Sequence, residues 1–217
     1  MRHPAFFAMN KTDLSQQFKS YYTAALTPQL LSLPAARYVA IEGKGDPSGP
    51  AFVHNLQPLY AVAYAVKFAC KEMDKDFVVP KLEAQWWFDM DKYGNATLDN
   101  TPQTVPRCGW QYRLLLRMPG YVTCDMIARA AHYTATKKKM PGALAIHGFE
   151  IPAGDFVQLL HVGPFANEPV SLSLLAAFIK ENQLRHNGHH HEVYLSDFRK
   201  TAPEKLKTIL REPVRKI

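Results

Sequence analysis

Cysteine, long apolar runs and membrane-targeting segments are scarce in this chain of 217 residues. The 3 cysteines, Cys70, Cys108 and Cys124, are too few and too widely spaced for a disulfide framework or a zinc site. The longest apolar runs, such as Leu59 to Val66, fall far short of the ~20 residues that span a bilayer. The apolar stretch from Met1 to Ala8 is too short for a signal-peptide core. We therefore expect reduced thiols, a cytoplasmic location and no membrane partner.

The common local signatures of catalysis and cofactor binding are also absent. The chain has no Gly-x-Ser-x-Gly elbow, no phosphate-cradling loop and no complete dinucleotide fingerprint. No helix-turn-helix segment stands out, which argues against a complete transcription regulator. His189, His190 and His191 look like a metal motif, but successive strand residues point to opposite faces and no cysteine completes a shell. The sequence predicts neither a metal nor a cofactor.

The net charge of +7 raises the question of a nucleic-acid partner. The basic residues are concentrated at Lys137–Lys139 and between residues 199 and 216. The first group is typical of a helix C-terminus, where cations complement the dipole. The second alternates with apolar residues, as in a strand with one solvated face. Because surface charge usually serves solvation, we do not expect nucleic acid as a partner.

Hydrophobic periodicity predicts an α+β protein. Expected helices cover residues 13–24, 52–70, 123–137 and 168–184. Expected strands cover residues 37–43, 76–88, 110–118, 144–149, 156–162, 190–195 and 207–211. We expect a single domain over residues 1–217. Its parts are an N-terminal helix with an irregular lead-in (13–34), a first repeat (35–120), a connecting helix and strand (121–150) and a second repeat (151–217).

The two halves match each other in element order. The matched blocks are residues 38–43 with 156–161, the helices that begin at 52 and 168, 86–89 with 194–197, and 113–119 with 207–213. This pattern predicts duplicated strand–helix–strand–strand units with pseudo-twofold symmetry, whose antiparallel sheets form a groove. Clefts between such units are common ligand sites.

Several segments carry a family resemblance. They are residues 43–47, 61–68, 80–87, 158–165, 190–197 and 201–208. From about residue 13 to its end, the chain resembles the GyrI-like small-molecule-binding family. That family includes drug-sensing domains of transcription regulators, a gyrase-inhibitory protein, and stand-alone members that hydrolyse cyclopropane-bearing, DNA-alkylating natural products. The resemblance implies two repeats that enclose an aromatic groove with a glutamate on its floor.

This sequence departs from the family pattern at four positions. Ala84 replaces a glycine and Gln85 a leucine, which changes the shape and polarity of one groove wall. Phe165 stands where a tyrosine is usual, so a hydroxyl is missing. Phe198 replaces a proline.

Glu192 is the candidate catalytic residue. It lies in mid-strand, on the same face as His190 and Tyr194. If Val193 and Leu195 face the helices, Glu192 and Tyr194 face the groove. A carboxylate there would pair with a cationic ligand, or activate water if desolvation raised its pKa. The alternative is an ordinary solvated strand residue.

Trp86, Trp87 and Glu83 are candidate ligand-binding residues on the strand that matches that of Glu192. Alternation places Trp86 on one face and Glu83 and Trp87 on the other. Since Trp86 matches Tyr194, it is the better groove candidate, although a bulge would exchange the two tryptophans. Aromatic walls suit flat or cationic ligands. The alternative is that both rings belong to the core.

Further ligand-binding candidates come from the helix and the turn next to the predicted groove. Tyr60 and Tyr64 lie one helical turn apart and would present hydroxyls at its edge, unless they are core residues. His161 precedes a Gly-Pro turn and would act as a donor or proton relay, or else hold the turn. Tyr112, on the third strand, and Phe165, after that turn, complete the set.

The sequence thus predicts a small-molecule-binding protein for amphipathic, aromatic or cationic ligands, with an aromatic groove and a central glutamate. A hydrolase that uses Glu192 to activate water is open as a further hypothesis. The alternatives are a non-catalytic drug sensor or sequestering protein, and a gyrase-interacting inhibitory protein. The ligand's identity and the oligomeric state are not decided by the sequence.

Overall fold

An antiparallel β-sheet organises the protein, whose computed structural model describes residues 11–98 and 100–217. The described strands are β1 (Gln29–Leu33), β2 (Ala36–Lys44), β3 (Leu82–Trp87), β4 (Gln111–Met118), β5 (His147–Ile151), β6 (Gly154–Val162), β7 (Leu184–His186), β8 (His190–Tyr194) and β9 (Lys207–Lys216). The described helices are α1 (Leu14–Gln17), α2 (Pro50–Glu72), α3 (Thr101–Thr104), α4 (Cys124–Lys137) and α5 (Glu168–Glu181). The prediction about Met1–Ala8 lies outside the described residues.

The strands follow the order β1-β6-β9-β8-β3-β4-β2-β5, and β7 pairs with the end of β9. One half of the sheet contains β6, β8 and β9 with β1 at its edge, and the other contains β2, β3 and β4 with β5 at its edge. The halves join where β3 pairs with β8, with Glu83 opposite Val193 and Ala84 opposite Glu192. The predicted α+β class is confirmed, although the sheet is continuous rather than split in two. The pseudo-twofold symmetry stays a prediction.

Strand register tests how the two halves match. Trp86 pairs with Tyr112 in the first half, and Tyr194 pairs with Thr208 in the second. If Trp86 matches Tyr194, then Tyr112 matches Thr208. The sequence match of the last strands aligns Tyr112 with Leu206 instead, so that match is wrong by two residues. Pro119 and Pro213 coincide in the sequence match, whereas hydrogen-bond register fixes which residues are equivalent.

The long helix α2 begins at Pro50, after Gly49. The first N–H groups of a helix have no partner within the helix, so a proline at this position loses no hydrogen bond. Its buried stripe, with Leu59, Val62 and Val66 at 1% exposure or less, packs on β2 and β4. Full burial of each such side chain is worth about 1.5–3 kcal/mol. The connecting helix α4, capped by the Thr123 side chain, packs against α2 and β5. α2 therefore covers the first half of the sheet.

The second half of the sheet is covered by α5. Leu172 and Leu175 of this helix pack with Val157, Leu159 and Leu210 of β6 and β9. Because α2 and α5 cover the same face, one over each half, the junction of β3 and β8 lies between them. None of the described helices is long and apolar enough to cross a membrane.

The opposite face of the junction is covered by the N-terminal segment. Leu14, Tyr21 and Tyr22 pack there against Val193 and Ile209. The condition that Val193 faces the main helices is therefore not met, and Glu192 is on the side of α2 and α5. Periodicity gives the alternation of a strand but not which face meets which layer.

Several elements differ from the predictions. The helix expected over 13–24 is reduced to α1 and a short 3-10 turn at Lys19–Tyr21, and β7 was not predicted. The strand expected over 76–88 is confined to β3, because the chain runs irregularly up to Pro80. The lead-in expected to be irregular contains β1, which forms its ladder with β6 of the second half. That long-range pairing leaves no periodic signal in a five-residue strand.

Candidate functional site

Four side chains share the helix-covered face of the sheet junction: Ala84, Trp86, Glu192 and Tyr194, here called the central site. Ala84 lies opposite Glu192, and Trp86 lies opposite His190. Strand alternation places all four on one face. Glu192 is 8% exposed, so its carboxylate is largely shielded from water. The central site combines a buried acid with aromatic rings.

Trp86 forms one aromatic wall of the central site. Its ring stacks on Phe52 of α2 at a centroid distance of 5.7 Å, and meets Trp110 and Tyr112 at 5.9 and 5.5 Å. Each such pair is worth about 0.5–1.5 kcal/mol beyond burial, so the ring is firmly held. Its indole nitrogen Nε1 is buried and has no hydrogen-bond partner of normal geometry among the described residues. The polar group beside this nitrogen is the Tyr194 hydroxyl.

Tyr194 forms the other wall, together with Phe165 and Phe198. The Tyr194 ring lies 6.0 Å from Phe165 and 5.8 Å from Phe198, both edge-on. Its hydroxyl lies between the Glu192 carboxylate and the Trp86 indole. Burial, strengthened by Glu192, raises the pKa of Tyr194 well above its usual value. The hydroxyl is thus a neutral donor beside an acid.

A cavity of about 300 Å³ opens beside Tyr194. Its apolar lining comes from Leu56 and Tyr60 of α2, Leu82 of β3, and Phe198. Asp13, Asp197 and Arg199 are among its polar lining residues. The volume lies at the lower end of the range for small-molecule sites, which are mostly apolar with a few polar groups.

The carboxyl group of Glu168, the first residue of α5, lies near enough to Glu192 to feel its charge. Burial, followed by the charge of Glu192, raises the pKa of Glu168 well above its usual value. The helix dipole would favour an anion at this position, but desolvation and the like charge outweigh it. Oε1 of Glu168 is buried without a hydrogen-bond partner among the described residues. The surroundings of Glu168 therefore favour the protonated form of its carboxyl group.

His190 lies between Glu192 and a second buried glutamate, Glu212 of β9. Its Nε2 is 3.3 Å from Oε1 of Glu192, and its Nδ1 contacts Oε1 of Glu212. Burial opposes a charge on His190, but Glu212 and Glu192 raise its pKa well above the usual value. Burial also opposes the charge of Glu212, whose pKa His190 and His186 nevertheless lower.

The three consecutive histidines point to different neighbours. His189 stacks on Trp87 at 4.6 Å, His190 contacts the two glutamates, and Nε2 of His191 donates to Glu83 at 2.8 Å on the opposite face. Across the described part of the chain, no group of three or more His, Cys, Asp or Glu side chains is arranged to hold a metal ion.

Comparison with known proteins accounts for this architecture. Residues 121–215 match the model of the GyrI-like small molecule binding domain. The structure of a Listeria innocua protein described as a hydrolase is 31% identical, covering 94% of this chain and 100% of that one, with a TM-score of 0.78. Since that identity extends over the whole relative, the family is established. The chain belongs to the GyrI-like family. It is a small-molecule-binding domain.

Other structures extend the comparison. An uncharacterised conserved protein from Listeria innocua is 32% identical, with coverage of 94% of this chain and 100% of that chain and a TM-score of 0.82. The C-terminal domain of EcmrR is 12% identical, with coverage of 88% and 98% and a TM-score of 0.54. This second likeness concerns the fold alone. None of the curated protein sequences matches the chain significantly.

Glu83 and Trp87 lie away from the central site of this GyrI-like domain. Glu83 is fully buried on the opposite face of the sheet, where Oε2 accepts hydrogen bonds from Tyr21 and His191. Trp87 is half-buried and lies 5.3 Å from the guanidinium of Arg113. The structure therefore separates these two candidates from Glu192, Trp86 and Tyr194, which it brings together.

The tyrosine and histidine candidates are also divided among different surroundings. Tyr60 lines the cavity, whereas Tyr64 is 43% exposed on the outer side of α2. Tyr112 is fully buried under Phe52, and its hydroxyl accepts from Nδ2 of Asn55 at 3.1 Å. His161 is held by Ser171 at 2.9 Å and by the carbonyl of Pro164 at 3.2 Å. Two hydrogen bonds fix that imidazole in the turn, as a structural histidine requires.

Sequence reasoning missed Glu168 and Glu212. Glu168 stands between Asn167 and Pro169 at a helix start, where an acidic residue is explained by the dipole alone. Glu212 lies in a basic C-terminal strand, where it looks like one solvated charge among several. No local signal shows that both carboxylates turn inward toward His190 and Glu192.

Proposed function

We propose that this GyrI-like domain binds an aromatic small molecule between Trp86 and Tyr194 and hydrolyses it at the Glu168–Glu192 pair. The substrate class is the cyclopropane-bearing, alkylating natural products. The single observation that carries the proposal is the buried Glu192 carboxyl on the same face of the sheet as Trp86 and Tyr194, with a second carboxyl, Glu168, whose pKa is raised by burial and by Glu192. Neighbouring carboxyls in different protonation states are the usual equipment for paired acid and base catalysis.

Glu192 is the proposed base. It takes a proton from a water molecule, whose oxygen forms a bond to a carbon of the strained ring. The ring C–C bond breaks, and its electron pair moves into the conjugated system toward the carbonyl oxygen. Glu168 gives its proton to that oxygen, and the proton on Glu192 then returns to Glu168. The net change is addition of one water, and each positioned proton transfer is worth about 10²–10⁴ in rate.

The aromatic walls supply binding. Trp86 is fixed by its stack on Phe52, so a flat ligand meets a surface that loses little freedom on binding. The buried Trp86 N–H and the Tyr194 hydroxyl, which lies beside Trp86 and Glu192, are the proposed donors to a ligand carbonyl. Tyr60 and Phe198 in the adjacent cavity extend the apolar surface. Whole-length similarity to a Listeria innocua protein described as a hydrolase supports the same assignment.

The test is hydrolysis of a synthetic cyclopropane-fused cyclohexadienone, followed by mass spectrometry. Wild type is expected to give the ring-opened product that has gained one water. Glu192→Gln is expected to bind the compound, measured by tryptophan quenching, but to lose at least about 100-fold in kcat. Glu181→Gln, an exposed change in the same helix as Glu168, serves as the control.

Absence of product from wild type would overturn the hydrolase. If quenching still showed binding in that case, the domain would be a non-catalytic sensor or sequestering protein. The site itself favours this second function for one class of ligand. A buried carboxylate flanked by aromatic rings is suited to an aromatic cation. Glu192→Gln would then weaken cation binding while leaving neutral ligands unaffected.

A further inference from the structure

A chain of charged side chains leads from the central site to the surface. Glu192 is followed by His190 at 3.3 Å, His190 contacts Glu212, and Oε2 of Glu212 lies 3.4 Å from Nδ1 of His186. The side chain of Glu212 is 2% exposed, whereas that of His186 is 47% exposed. The residues come from three strands, β7, β8 and β9, which the sheet brings into register.

Each nitrogen of the His190 ring faces a carboxylate. A neutral imidazole has one donor and one acceptor nitrogen, so it satisfies only one such neighbour, whereas the imidazolium donates to both. The raised pKa of His190 and the lowered pKa of Glu212 agree with this geometry. His190 is therefore a buried cation anchored by Glu212.

The carboxyl groups of Glu192 and Glu168 differ in their contact with this cation. Glu192 lies within 3.3 Å of Nε2 of His190, whereas Oε1 of Glu168 makes no hydrogen bond among the described residues. Two adjacent carboxyls compete for one proton, and small differences in their surroundings decide which one keeps it.

We propose that His190 is a positioning residue whose imidazolium, held between Glu212 and Glu192, keeps Glu192 in its ionised form. This inference rests on the proposed function, because it explains how the same site assigns its base and its acid. His190 acts through Glu192 and does not itself touch the reacting atoms. Glu212 holds the imidazolium in place, and His186 links it to solvent.

Titratable groups of four elements lie next to His190 and Glu192. They are Glu168 from α5, Tyr194 from β8, Glu212 from β9 and His186 from β7. The facing residues of β3, Ala84 and Trp86, carry no charge. Removing the imidazolium therefore leaves Glu192 with a carboxyl neighbour and a neutral hydroxyl. Protonation of Glu192 then becomes easier, and its base form is lost at a higher pH.

The experiment compares the pH profile of kcat/KM for wild type, His190→Gln and Glu212→Gln with the cyclopropane-fused cyclohexadienone. We expect the acid limb of His190→Gln to move up by at least about one pH unit, as for loss of an opposite charge at this distance. At pH 6, kcat falls by about tenfold or more while KM changes by less than about threefold. Glu212→Gln moves the limb in the same direction because His190 loses its anchor.

His189→Gln is the matched control, because the neighbouring histidine stacks on Trp87, on the other face of the strand. Its profile should overlay that of wild type. A loss of rate by the same factor at every pH, with an unmoved acid limb in both His190→Gln and Glu212→Gln, would reduce His190 to structural support and overturn the inference. Thermal unfolding of each variant identifies any that fails to fold.

Failure of the proposed hydrolase is distinguishable from failure of this inference. If wild type gives no product, binding of ethidium is measured by tryptophan quenching as a function of pH. Wild type should then keep its affinity to a pH at least about one unit lower than His190→Gln does. Identical affinity profiles in the two proteins would overturn the role of His190.

Discussion

Ala84 lies directly opposite Glu192 in the central strand pair, where the two halves of the sheet meet. Ala84 is fully buried, and its side chain is a single methyl group next to Glu192. Trp86 and Tyr194 lie on the same face of the sheet, close to each other. Glycine is the residue that the GyrI-like pattern has at this place, so Ala84 limits the floor of the central site by one methyl group.

The first prediction concerns Ala84→Gly. Removing the methyl group deepens the floor beside Glu192, so binding of bulkier aromatic ligands should tighten by about threefold to tenfold. The free energy of unfolding should fall by about 0.5–1 kcal/mol because a glycine in a strand loses more entropy on folding. Ligand titration and urea denaturation measure the two effects. Ala40→Gly, another fully buried alanine in β2, should show only the second effect, and equal ligand effects in both variants would contradict the prediction.

The second prediction concerns the pH dependence of stability at Glu168. The folded state raises the pKa of this group, so above the unfolded pKa of about 4.3 the native protein binds the extra proton. Its contribution to stability is complete below that value and is lost as the pH rises through the folded pKa. Wild type should therefore lose stability with a slope of up to about 1.4 kcal/mol per pH unit.

Glu168→Gln removes that proton, so its free energy of unfolding should depend less on pH between about 5 and 8. Urea unfolding at four pH values in that interval measures the difference. Glu181→Gln in the same helix should keep the wild-type slope. Parallel pH profiles for wild type and Glu168→Gln would show that Glu168 is not held protonated.

The third prediction concerns the outer aromatic wall. Phe198→Ala removes the ring that meets Tyr194 and Phe165 and borders the cavity. Affinity for a flat aromatic ligand should fall by about tenfold, the equivalent of one lost ring contact of about 1.4 kcal/mol. Calorimetric titration gives the value. Phe68→Ala, at a ring that is 53% exposed on α2, should leave the affinity unchanged, and a similar loss there would rule out a specific wall.

The fourth prediction concerns the polar network beneath the N-terminal segment. The Tyr21 hydroxyl donates to Glu83 and lies 2.7 Å from the hydroxyl of Tyr38. Tyr21→Phe leaves the buried carboxylate without that donor, so the free energy of unfolding should fall by about 1–3 kcal/mol. Ligand affinity at the central site should not change, because the sheet separates the two. Tyr133→Phe, at an exposed tyrosine of α4, is the control.

A loss of affinity in Tyr21→Phe without a loss of stability would contradict this division. It would return Glu83 to the ligand site, as the sequence suggested. Denaturation and ligand titration on the same samples decide between the two outcomes.

Long periodic elements were predictable because local pattern and packing agree in them. The apolar stripe of α2 indicates both a helix and its buried side, and β8 shows the alternation that puts Glu192 and Tyr194 on one face. The association of Trp86 with Tyr194 followed from the match of the two halves. The strand β1 was not predicted because it is formed by pairing with β6, which lies more than a hundred residues further along the chain.

By itself, the sequence determined the α+β class and the family, since these depend on periodicity and on segments of continuous chain. It also singled out Glu192. Only the tertiary structure decided that the acid lies on the side of α2 and α5, that Glu168 lies near it and that Glu83 does not. The physical reason is that charge and burial act through space. Glu168 and Glu212 acquire their altered pKa values from neighbours on other elements, and no spacing along the chain encodes those contacts.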